Sequence, residues 1–158
     1  MGLKAVSRTI AGAADYETGT WTPVLEGSTV AGSHGYANQG GVYLKAGHLV
    51  WATGIIALSS FDPSTSGSIY ISGLPYVGSP GSHNSSAFSF ARFKNVNLDT
   101  ANGYLFATLT LPDQVDYLQI VQFGDDVLDK SVTSADLSSA TAMRFTGSYV
   151  SGLPSAGP

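Results

Sequence analysis

Residues 41–58 place the tightest constraint on what this chain can fold into. Gly41-Val42-Tyr43-Leu44-Lys45 leads through Ala46-Gly47 into a long segment, His48 to Leu58, in which side chains alternate with period two. The pattern predicts a β-hairpin turning at Ala46-Gly47. His48, Val50, Ala52, Gly54, Ile56 and Leu58 fall on one face, and Leu49, Trp51, Thr53, Ile55 and Ala57 on the other. Both faces are largely apolar, which predicts a strand covered on both sides, by its own core and by a neighbouring subunit.

The same punctuation continues along the chain. Ser68-Ile69-Tyr70-Ile71 reads as a short strand ended by Gly73-Leu74-Pro75, and 76–86 is loop by every local rule. From Ala87 to Lys94 the alternation predicts Phe88, Phe90 and Arg92 on one face. Asn102-Gly103 is a strong turn signal before a strand over 104–111; further strands are expected over 117–123 and 143–150. Thr133-Ser134-Ala135-Asp136 has the form that opens a helical turn. No amphipathic segment of three helical turns occurs. About eight short strands separated by turns predict an all-β, antiparallel β-sandwich of jelly-roll type. Its boundaries are expected at 20–150, behind an N-terminal arm over 1–19 and before a flexible tail over 151–158.

Composition narrows the function. Only 11% of the 158 residues are charged, against roughly 25% in ordinary soluble proteins. The net charge is −4, so no basic surface is available for nucleic acid. The absence of Cys excludes thiolate metal sites, disulfides and a Cys nucleophile. No apolar run approaches the ~20 residues that a membrane-spanning helix needs. A surface so poor in charge is costly to leave in water, and burial between subunits removes that cost.

Four segments, in order, resemble one family. Asp15-Tyr16-Glu17-Thr18-Gly19-Thr20-Trp21-Thr22-Pro23 is similar to the opening of C-terminal domains of bacteriophage tail fibres and tailspikes. Gly41 to Val50 matches their "Gly-x-Tyr-x-x-x-Gly-x-x-Val" hairpin, Ile71-Ser72-Gly73-Leu74-Pro75 their "Ile-x-Gly-Leu-Pro", and Arg144-Phe145-Thr146-Gly147-Ser148-Tyr149 their closing strand. The resemblance implies a homotrimeric sandwich on a virion tail or fibre, engaged in trimer assembly and recognition of a host cell-surface polysaccharide. The 1–19 arm would then contact other virion proteins. A purely architectural fibre or decoration module, and an accessory domain of a polysaccharide depolymerase, are the alternative readings.

Candidate site residues follow from the loops, where a rigid β scaffold carries binding groups. Sugars need flat aromatic faces and polar groups, a mix offered by Tyr36, Tyr76, His83, Asp113 and Tyr117. Trp21, Trp51, Phe88 and Phe90 sit in strand patterns and are expected in the core or the trimer interface. The acidic stretch from Asp113 to Asp129 reads as turn chemistry; a bound cation there stays an alternative. His48 is the histidine best placed to meet its copies on a trimer axis, though a strand-edge role is the simpler reading. No nucleophile elbow occurs, and neither catalytic residues, metal nor cofactor are expected.

Overall fold

A computed structural model describes residues 16–80 and 86–152. The 1–19 arm up to residue 15, the tail from residue 153 and His83 lie outside them. Ten strands form: β1 (Tyr16–Trp21), β2 (Val24–Gly27), β3 (Gly35–Ala46), β4 (Leu49–Ser60), β5 (Ile69–Ser72), β6 (Ser86–Lys94), β7 (Tyr104–Leu111), β8 (Leu118–Gly124), β9 (Lys130–Ser131) and β10 (Ala142–Val150). Every pairing is antiparallel.

The layers come from one sheet. Its hydrogen-bonded path runs β1-β3-β4-β10-β6-β7-β8-β5-β2, with β9 beside β8. The strands at the two ends of that path, β1 and β2, are joined in the chain by Thr22 and Pro23 alone. A two-residue link cannot span an open sheet of this width, since extended chain reaches only about 3.5 Å per residue. The sheet therefore curls until its ends meet, and the two-sided core is made by curvature of a single antiparallel sheet.

Where the edges meet, side chains replace the missing ladder. The Tyr36 hydroxyl on β3 accepts the Leu25 N–H of β2 at 3.0 Å, and Gln39 Nε2 donates to the Pro23 carbonyl at 2.9 Å. Trp21 Nε1, at the end of β1, donates to the Thr53 carbonyl on β4 at 2.8 Å. Inside lies a continuous cluster that includes Trp21, Leu25, Ile56, Ile71, Phe88, Leu118, Met143, Phe145 and Tyr149. Gly54 is required there, because a Cβ would stand 2.4 Å from the Phe145 ring.

β4 buries Val50, Ala52, Gly54, Ile56 and Leu58, the face expected. The described residues leave the other face open at one end, with Leu49 53% and Trp51 43% exposed. The hairpin turns one residue later than the sequence suggests, on Gly47-His48, because Ala46 still pairs with Leu49 and Gly47 supplies the positive φ (60°). His48 is consequently an exposed turn residue whose carbonyl accepts from Ser151. Phe88 and Phe90 face inward, but Arg92 does not share their face. A bulge at Ala91, where Phe90 pairs with Phe145 and Arg92 with Arg144, turns it outward. Trp21 and Phe88 are core, Phe90 packs against it, and Trp51 lies outside. The turn at Thr133 forms as expected, with Asp136 Oδ2 accepting both the Thr133 N–H and hydroxyl.

Tyr36→Phe removes the acceptor for the wholly buried Leu25 N–H at the closure. The expected cost is about 1–3 kcal/mol, read as a lower Tm and faster hydrogen exchange at Leu25. An unchanged Tm and protected amide would show that the seam does not depend on this hydroxyl.

Candidate functional site

Three of the expected loop residues are drawn into one region by backbone bonding. The Leu74 N–H donates to the Asp116 carbonyl at 3.0 Å, and the Gly78 N–H to the Val115 carbonyl at 2.9 Å. These bonds clamp the 73–80 loop, carrying Tyr76, to the 112–117 loop, carrying Asp113 and Tyr117. Gln114 takes a positive φ of 58° to make the turn, which leaves Asp113 exposed at its tip.

Tyr117 projects beside β5. Its ring lies 4.8 Å from that of Tyr70, with the planes at 43°. The two rings line a cavity of about 360 Å³ together with Ser28, Ser68, Ile69 and Gln119. Alternation in β5 explains the arrangement: Ile69 and Ile71 turn into the core, so Tyr70 faces out. Ladder register then sets Glu26 opposite Tyr70 on one side and Gln119 on the other. Gln119 is oriented by its Nε2 donating to Ser131 Oγ at 2.7 Å, and Ser28 Oγ accepts the Ser68 N–H at 3.0 Å. Partial burial, reinforced by the Glu26 carboxylate, pushes the Tyr70 phenol above its ordinary pKa, so it stays a neutral donor. The cavity thus presents two aromatic rings with hydroxyl and amide groups around them, and the Glu26 carboxylate lies on the strand beside Tyr70. Tyr70 is absent from the sequence-based set because its local pattern is that of a strand residue; an aromatic on the outward side of a four-residue strand is the available signal.

Tyr76 belongs to a different group. Its hydroxyl and that of Tyr43 both donate to the Glu17 carboxylate, one to each oxygen. The two rings meet edge to face at 5.8 Å, and Lys45 Nζ lies 5.3 Å from the Tyr76 ring centre. Behind them the buried Tyr149 hydroxyl donates to the Tyr76 carbonyl at 3.0 Å. This is a latch that fastens β1 to the 73–80 loop. Tyr36 is committed to the seam, and burial raises its pKa.

His34 stacks on Phe61 at 4.9 Å, and its Nδ1 accepts the Asp62 N–H at 3.2 Å. Burial lowers its pKa, with the Asp62 charge opposing the shift. Among the described residues, no three His, Asp or Glu side chains are grouped to hold a metal ion. The acidic stretch is divided between the 112–117 loop and the turn after β8.

No protein-family model matches the chain, and no curated protein matches it. The fold is similar to that of the Dettilon tailspike protein, with a TM-score of 0.65 and 22% identity. The likeness covers 85% of this chain but 24% of that one, so the chain spans about a quarter of the tailspike's length. At this identity the likeness is one of fold.

The latch carries a pH dependence. The two tyrosine hydroxyls hold the Glu17 pKa below its ordinary value. A carboxylate with a depressed folded-state pKa stabilises above its unfolded value, and the contribution is lost as pH falls through the folded one. Hydrogen exchange of β1 amides, corrected for intrinsic rates, is therefore expected to quicken below the ordinary glutamate range. Glu17→Gln should show that faster exchange already at neutral pH. Equal protection in both proteins at every pH would remove the latch.

Proposed function

We propose that the chain is a domain of a bacteriophage tail fibre or tailspike, located on the virion, that assembles as a homotrimer and binds a host cell-surface polysaccharide without catalysing a reaction. The observation that carries the binding part is the Tyr70–Tyr117 cavity. Saccharide rings offer C–H faces that stack on aromatic side chains, and hydroxyls that need directional partners; Ser28, Ser68 and Gln119 line the cavity with such partners, and Glu26 lies opposite Tyr70 on the neighbouring strand. Tailspike-like folding of the described sheet supports the virion assignment. The N-terminal arm over 1–19 is the part that would contact other virion proteins.

The trimer is supported by the outer face of β3 and β4. Val42, Leu49 and Trp51 are exposed there on strands with no acidic residue, and association would remove them from water. Three weak sugar sites on one rigid body gain avidity that a single site lacks.

Light scattering should give three times 16.3 kDa. A monomer at all concentrations would remove the assembly part. For binding, Tyr117→Ala and Tyr70→Ala are each expected to weaken affinity for host envelope polysaccharide by about tenfold, the scale of one lost aromatic contact of 1–2 kcal/mol. Asp113→Ala, at the exposed loop tip, should change it less. Undiminished binding in both tyrosine variants would move the receptor site elsewhere, and no binding by the wild type would favour an architectural role. Reducing-end release from the polysaccharide would instead support a depolymerase.

A further inference from the structure

A second surface lies on the outer face of β3, β4, β10 and β6. Register sets Gly40, Ile55, Arg144 and Arg92 in one row across the four strands, with Lys94 in the next row. Arg144 and Arg92 are directly opposed and exposed, an unfavourable pairing of like charges. Neither has a carboxylate partner among the described residues, and none of these four strands contains Asp or Glu. Beside Arg144, the small residues Gly40, Gly41, Gly54 and Ala91 leave an open depression of about 500 Å³ walled by Val42 and Ile55.

The chain also carries the complement of this surface. The turn after β8 exposes Asp125, Asp126 and Asp129, and between them Leu128 is 87% exposed. On the strands themselves the rings of Phe106 and Phe123, paired across β7 and β8, stack at 5.7 Å with Phe106 59% exposed. One patch is an apolar hollow edged by uncompensated positive charge; the other is an apolar projection edged by negative charge.

We propose that the hollow is occupied by a second copy of this chain: Leu128 of one copy seats between Val42 and Ile55 of the next, while its Asp126 and Asp129 neutralise Arg144 and Arg92. This rests on the homotrimer reading above and names the surfaces that make it. The contact joins two different patches of the chain, the hollow of one copy and the projection of the next. Each copy offers both patches, and a closed ring of three satisfies every one of them. Burial also relieves the Arg–Arg repulsion that the free chain must bear.

The test compares the solution masses of the intact wild type and its variants. Arg92→Asp with Arg144→Asp should raise the trimer dissociation constant by about tenfold or more. Asp126→Arg with Asp129→Arg should do the same. All four changes together invert both patches and should restore the three-chain mass. Leu128→Asp, at a position with little intramolecular contact, should dissociate the trimer while circular dichroism stays unchanged. That variant keeps the test sound if reversal at the arginines perturbs folding. A trimeric wild type whose Leu128→Asp and arginine variants remain trimeric overturns this contact and leaves the trimer standing. A monomeric wild type overturns both. If the arginine reversal leaves the mass unchanged but abolishes binding of an acidic polysaccharide, the hollow is a saccharide site and the proposal fails.

Discussion

Thr22 and Pro23 connect the two ends of the sheet, and the other features described depend on that connection. Because β1 and β2 stand at opposite ends of the strand order yet adjacent in the chain, the sheet has to curl round and enclose its own core. The closing edges share no ladder, so their polar groups find side chains: Tyr36 and Gln39 from β3 reach the backbone of Leu25 and Pro23. A buried backbone N–H without a partner is costly, and this places polar side chains where a smooth hydrophobic pattern would otherwise run. Curling also sets the functional surfaces. It leaves β5 and β8 beside the 112–117 loop, which brings Tyr117 over Tyr70, and it turns β3, β4, β10 and β6 outward as one broad face without acidic residues.

Much of the strand pattern was legible in the sequence, because period-two alternation is a local property. The inward face of β4, the strand over 104–111 and the Thr133–Asp136 turn all lie where side-chain chemistry puts them. Features that depend on pairing were not legible. The bulge at Ala91 has no composition signal, and it reverses Arg92 relative to Phe90. The hairpin slips by one residue because register with β4, together with the left-handed conformation at Gly47, outweighs the local turn pattern. Closure of the sheet requires knowing the order of strands that lie far apart in sequence.

The site was partly legible for the same reason. Tyr117, Tyr76 and Asp113 were found as aromatic or polar loop residues, and backbone bonds do bring their loops together. What each does could not be read locally. Tyr36 lies in β3 and serves the seam, and Tyr76 serves the Glu17 latch. Tyr70 lay unnoticed in a short strand until pairing set it against Tyr117. An aromatic residue marks a place where surface must be covered, and the covering partner decides between fold and binding.

The most direct measurement is a titration of the isotope-labelled intact protein with oligosaccharides from a host envelope, followed by chemical shift. Binding at the Tyr70–Tyr117 cavity predicts saturable shifts that centre on Tyr70, Tyr117, Gln119 and Ser28, with the Glu17 latch and the Tyr36 seam unmoved. Saturable shifts centred on any other surface, or none at saturating saccharide, would contradict it.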